Sequence, residues 1–130
     1  MSYIGTTIND SPVIAAEATV ALSGAEFLAV KFDSDGGIVK ADTAGENVIG
    51  LLPAEQGDIG AGETVTVQIK ECGLWKVGEA VAVGAELTTD ADGKAVTAAS
   101  GNFITAIALE AASAADEIIK VQIAKAGYKA

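Results

Sequence analysis

The sequence predicts an all-β fold: a small barrel or sandwich of short strands, built from two similar β units and preceded by an extended N-terminal arm. Three observations predict it. Apolar and polar residues alternate with period two in several short runs. Fifteen glycines and only two prolines punctuate the 130 residues, which signals many tight turns. One arrangement of strands and turns occurs twice. The length suits a single domain with a real hydrophobic core. Half of the residues are apolar but only 5% are aromatic, so Val, Ile, Leu and Ala must build that core, and they leave little room for a deep pocket.

Residues 1–25 read as an arm and lead-in segment, and residues 26–130 as one β domain. In MSYIGTTINDSP, Tyr3, Ile4 and Ile8 are isolated apolar points, and Pro12 blocks a helix. The segment fits an extended arm or a frayed terminus. Ala15–Leu22 is compatible with a strand or a short helical turn. In FLAVKFD, Leu28, Val30 and Phe32 alternate with Ala29, Lys31 and Asp33, as in a half-buried strand. Asp33-Ser-Asp-Gly-Gly37 then predicts a hairpin turn. Further strands are expected at Ile38–Ala41, Val48–Leu52 and, with near-perfect alternation, Thr64–Lys70. The second half offers Leu74–Val77, Ala80–Val83, Glu86–Thr89, Ala95–Ala98, Phe103–Leu109 and Ile118–Ala124, separated by Gly78, Gly84, Gly93 and Gly101. A short helix is possible in the alanine-rich Glu110–Asp116. Many short strands with frequent turns indicate a barrel or sandwich.

The repeat relates residues 33–69 to residues 90–123. Asp33, Asp35 and Gly36 correspond to Asp90, Asp92 and Gly93, and Val39 to Val96; Val65, Val67 and Ile69 correspond to Ile119, Val121 and Ile123. Two such units would each leave an apolar sheet face uncovered, and packing them together as a pseudo-twofold barrel buries both. The linker, Glu71–Ala85, holds Trp75, the only tryptophan. Trp75 has two readings: a plug or end cap of the barrel, or, with Leu74, an anchor at a subunit interface.

Little here points to catalysis. The chain has no histidine, hence no commonest general base or metal ligand. With Cys72 as the only cysteine, neither a disulfide framework nor a structural zinc site can form. Cys72 sits between Glu71 and Gly73, in acidic company that disfavours a thiolate. Asp33-x-Asp35-Gly36 and Asp90-x-Asp92-Gly93 resemble the opening of calcium loops, but the twelfth positions are Ala44 and Gly101, so no glutamate closes either loop. Asp-Gly turns explain the same residues. Gly60-Ala-Gly-Glu63 lacks the lysine of a phosphate-binding loop. No spacing singles out a nucleophile and base, so no catalytic residue, cofactor or metal is expected.

The net charge is −10, and all eight basic residues are lysines scattered along the chain. Such a chain is a poor partner for nucleic acid, and its acidity favours solubility and repulsion between free subunits. It contains neither an apolar run of membrane-spanning length nor the layout of a signal peptide, so synthesis in a reducing compartment is expected.

Residues 71–123 resemble the small β-rich decoration, or cement, proteins of tailed-phage heads. The resemblance rests on Gly78–Val81, Gly84–Leu87, Asp90–Thr97, Ala108–Ala112 and Ile118–Ile123, and the first copy of the repeat extends it over most of residues 26–123. It implies a non-enzymatic structural virion protein, made in the bacterial cytoplasm. Such a protein docks on the outer capsid surface, binds the major capsid protein, clusters as a trimer, and staples neighbouring shell subunits against internal pressure. It also suggests that the arm residues Ser2, Tyr3, Ile4, Thr6, Thr7 and Ile8 touch the capsid. A tail or baseplate component, or a small ligand-binding β module, are the alternatives. A carbohydrate-binding platform is disfavoured by the few aromatics, of which Tyr3 and Tyr128 lie near the ends.

Overall fold

The structure is a computed structural model and describes residues 11–54 and 56–130. Ten strands occur among them: β1 (Val13–Glu17), β2 (Ala29–Phe32), β3 (Ile38–Lys40), β4 (Gly50–Leu51), β5 (Thr64–Gln68), β6 (Glu71–Lys76), β7 (Glu86–Thr89), β8 (Ala95–Thr97), β9 (Phe103–Ala108) and β10 (Ile118–Tyr128). The fold is all-β. The described residues contain no helix, and the helix considered at 110–116 is a turn. Tertiary pairing overrides alanine's helix propensity there: Ala112 N–H donates to Val81 O at 3.0 Å, and Val81 N–H returns a bond to Ala112 O at 3.1 Å. Ala80–Val83 is accordingly a single bridge at Val81 and not a strand.

The strands form two antiparallel five-stranded sheets, ordered β1-β5-β4-β2-β3 and β6-β10-β9-β7-β8. Adding five to each label of the first order gives the second, so the two units are alike in topology. Their turns are alike too. Asp33 Oδ1 accepts from the N–H groups of Asp35 (2.9 Å) and Gly37 (3.0 Å), and Asp90 Oδ1 accepts from those of Asp92 (2.8 Å) and Lys94 (2.9 Å). Each aspartate thus ties its own hairpin, with Gly36 and Gly93 supplying the positive φ that the turn requires. An isolated parallel bridge, Ala18 to Ile38 in one unit and Val77 to Ala95 in the other, curls each sheet toward closure.

Two strands lie partly outside the bounds read from the sequence. Residues 13–25, read as a lead-in, supply edge strand β1, which pairs with β5 from Val13↔Gln68 to Glu17↔Thr64, and the buried Ala18, Leu22 and Ala25. The expected linker likewise begins with a strand, β6, which pairs with β10. Both strands lack a hairpin partner next to them in sequence; the sequence offers strands at Ala15–Leu22 and Leu74–Val77, and pairing with β5 and β10 sets their actual bounds.

The apolar side chains form two clusters. One lies within the first unit and includes Leu22, Leu28, Val30, Ile38, Val65 and Val67. The other fills the second unit and also takes Ala29, Val48 and Leu51 from the first. Strand β2 is therefore packed on both faces: Ala29 and Val30 are both fully buried, while Phe32 at its end is 46% exposed, so the expected alternation fails there. In β5 it holds, with Val65 and Val67 inside.

Trp75 is completely buried in the second cluster, and its indole N–H donates to Gly93 O at 2.9 Å. Of the two readings of Trp75, this burial matches the plug: an enclosed, hydrogen-bonded indole has no surface to offer a neighbour, so Trp75 does not serve as the interface anchor. Gly93 O also accepts from Ala29 N–H at 2.8 Å, which joins the two units through one carbonyl. Lys76 N–H to Phe27 O (2.9 Å), Gly45 N–H to Thr89 O (2.9 Å) and Phe103 N–H to Gly45 O (3.0 Å) reinforce the joint.

Three outcomes follow for stability. Trp75→Ala should cost about 3–5 kcal/mol in urea unfolding, whereas Leu74→Ala, on the exposed side of the same strand, should change it by less than about 1 kcal/mol. Gly36→Ala and Gly93→Ala share a penalty of about 1–2 kcal/mol for positive φ. The Gly93 variant should lose more, because its methyl would come 3.2 Å from Ala29 O and 3.3 Å from Leu28 Cβ, while Gly36 faces open space; equal losses would contradict a tight joint. Acidification should also destabilise the fold. The Thr19 hydroxyl holds the Asp33 carboxyl below its usual pKa, and Lys31 and Lys94 do the same for Asp42 and Asp116. A carboxyl whose pKa is lower in the folded than in the unfolded chain stabilises the fold above the unfolded value and loses that contribution as pH falls. The melting temperature should thus drop between about pH 5 and pH 2, and a flat profile would show these contacts to be without effect.

Candidate docking surface

Of the carboxylates that resembled calcium ligands, Asp33 and Asp90 are occupied in closing the two hairpins. Among the described residues, no group of three or more His, Cys, Asp or Glu is placed to hold a metal ion. The clefts are open and shallow. One of about 320 Å³ is lined by Glu17, Thr19 and Asp35, and one of about 370 Å³ by Lys31, Phe32 and Lys125. Neither brings together a nucleophile and a base. What the molecule offers is surface: sheet faces and edges that can meet another protein.

The predicted arm residues Ser2, Tyr3, Ile4, Thr6, Thr7 and Ile8 lie outside the described residues. Pro12 O accepts from Ile69 N–H at 2.9 Å, just beyond the Val13↔Gln68 end of the β1–β5 ladder. Gln68 fixes the corner between β5 and β6, since its side-chain amide donates to Lys70 O (3.0 Å) and Cys72 O (2.8 Å). A Cβ at position 73 would collide with that amide, which explains the glycine there. The start of β1 and the start of β6 are thus neighbours, although 58 residues separate Val13 from Glu71.

Leu74, the other residue expected at an interface, projects from the outer face of the second sheet and is 42% exposed. It stands directly opposite Lys120 on β10, and Lys76 stands opposite Ile118. Leu109 N–H donates to Lys120 O at 2.9 Å, which sets Leu109 on the far side of Lys120. Ile118 and Leu109 are 43% and 44% exposed. The structure therefore separates the two predicted interface residues: Leu74 faces out, with Ile118, Leu109 and Lys120 around it, and Trp75 faces in. Sequence reasoning missed Leu74's three companions. The alternation Ile118-x-Lys120-x-Gln122 placed two of them on one face of a strand, but nothing local indicated that β6 and β9 flank it. Cys72 is also exposed, on the same strand as Leu74.

Comparison with known proteins agrees with a surface-binding role. The family model of phage cement proteins matches residues 6–123. Among solved structures, the N base of the head fiber protein gp8.5 of bacteriophage phi29 is similar in fold, with a TM-score of 0.55 and 20% identity, covering 91% of this chain and 98% of that one. No curated protein matches. With the family match spanning both β units, the chain belongs to the phage cement proteins and is a structural protein of the virion that binds the capsid.

Proposed function

We propose that this protein docks on the outer surface of a phage head, binds the major capsid protein there, and clusters as a homotrimer that staples adjacent shell subunits. The observation that carries this reading is the family match across residues 6–123, which includes both sheets and all ten strands but the end of β10. The fold likeness to the base of a phage head fiber points the same way.

In this reading, residues 1–10 form the arm. Ser2, Tyr3, Ile4, Thr6, Thr7 and Ile8 lie along the edge of a capsid sheet as an added strand, where main-chain hydrogen bonds supply affinity and Tyr3, Ile4 and Ile8 fill pockets. The body, residues 11–130, is the rigid weight that the arm anchors, and Leu74 contributes to contacts between neighbours. Single docking events are weak, and many copies on one shell add up. The charge of −10 keeps free copies apart until they reach the head. The work is mechanical, and no catalytic residue takes part.

The experiment is co-sedimentation of the purified protein with heads stripped of their own copies. Saturable binding at a fixed ratio to the capsid subunit, with heads that survive harsher heating, is the expected result; absence of binding to both filled and empty heads would refute it. Deleting residues 2–8 should abolish docking and leave the melting transition of the body unchanged. Full binding by the shortened protein would remove the arm from the contact.

A further inference from the structure

We propose that the outer edge of β3 and the cleft between Lys40 and Val20 form a capsid-docking site, which receives a carboxylate carried on an extended, partly apolar segment of the shell. This inference rests on the reading of the chain as a capsid-binding protein and names a contact made by the folded body.

The two like units differ at this edge, and the difference identifies what the site takes. In each unit, the residues that follow the first strand of the sheet lie beside the last strand in its order. Thr19 N–H donates to Ile38 O at 3.0 Å, and Gly78 N–H donates to Ala95 O at 2.8 Å. One residue further on, the second unit carries Glu79, whose Oε1 accepts from the backbone N–H of Thr97 at 3.1 Å. The first unit has Val20 in the place of Glu79 and Lys40 in the place of Thr97. Asp33 and Ala41 bond across to the β2 side of the hairpin, to Gly37 O and Ala29 O. Lys40 alternates with them, so its backbone N–H points away from β2. Among the described residues that N–H has no acceptor. One unit thus caps its edge with its own carboxylate, while the other leaves the same edge open. An open strand edge is a template for a further chain.

The cleft at the open edge has a volume of about 290 Å³ and is lined by Val20, Leu22, Ala25, Leu28 and Lys40, among others, with no Asp or Glu in its lining. Leu22, Ala25 and Leu28 are buried, and Val20 is 49% exposed. A carboxylate bound here meets the Lys40 N–H, as Glu79 meets that of Thr97, and it also meets the Lys40 ammonium. Bonds to such charged acceptors are the strong ones. The aliphatic wall seats an apolar neighbour of the acid, and the extended backbone of the segment continues the sheet. Two-fold pairing of this edge with itself would set Lys40 against Lys40 without supplying a carboxylate, and the acidic bodies would repel. A segment of the shell meets both demands.

The test uses the full-length protein and stripped heads. Val20→Glu gives the first unit the cap of the second and should weaken binding about tenfold or more, at an unchanged melting temperature. Lys40→Pro removes the N–H at an edge position that tolerates proline, and it should weaken binding as much. Val83→Glu adds the same charge at an exposed site on the second unit and should bind as wild type. Amide exchange provides an independent readout. In the free wild type the Lys40 amide should exchange faster than the Thr97 amide, and Val20→Glu should slow it; a Lys40 amide as protected as that of Thr97 would refute the open edge. Wild-type-like binding by both Val20→Glu and Lys40→Pro, alongside saturable wild-type binding, would overturn the site and leave the proposed function standing. If the wild type binds no heads, both fall. If sedimentation instead shows a wild-type oligomer that Val20→Glu breaks into monomers, the edge joins copies of this chain and the capsid assignment is wrong.

Discussion

The carbonyl of Gly93 is the point on which the two halves of the molecule depend. It lies in the turn between β7 and β8 and accepts two hydrogen bonds, from the Ala29 backbone and from the Trp75 indole. A carbonyl oxygen has two lone pairs, and here one reaches the first sheet while the other fixes the largest side chain of the core. Buried away from water, neither donor could be left unpaired cheaply. The turn needs a glycine twice over, for its positive φ and for the approach of Ala29 and Leu28. The corresponding turn at Gly36 has the same local geometry with open space around it. Two like units have thus diverged at one position, where one turn became the joint and the other stayed at the surface.

That joint determines how burial is shared. The first sheet cannot keep a solvent face opposite its own core, because Ala29, Val48 and Leu51 are committed to the second cluster. The result is a body with few aromatics that still encloses its only tryptophan. Clefts stay shallow, since small aliphatic side chains fill the interior closely. Open clefts among the described residues and a firm body suit work done at the surface, which is the work of a capsid-binding protein.

Electrostatics and edges then decide how the surface is used. Lys31, Lys94 and Lys129 are engaged by carboxylates, and the excess acid makes free copies repel. The corner between β5 and β6, held by Gln68, lies beside Pro12, whose carbonyl is bonded to Ile69.

How much of this was written in the sequence follows from the range of each interaction. The hairpin turns at Asp33–Gly37 and Asp90–Lys94 and the alternation of Thr64–Gln68 depend on neighbours in the chain, so the all-β class, the two similar units and the family resemblance were legible from residues alone. The absence of histidine and the single cysteine likewise limited the chemistry before any coordinates. Only the tertiary structure decided that Val13–Glu17 and Glu71–Lys76 are edge strands, that Trp75 faces inward, and that Leu74 has Ile118, Leu109 and Lys120 beside it. Those outcomes depend on which distant strand lies alongside, and a ladder between residues some fifty positions apart leaves no periodic mark on either partner.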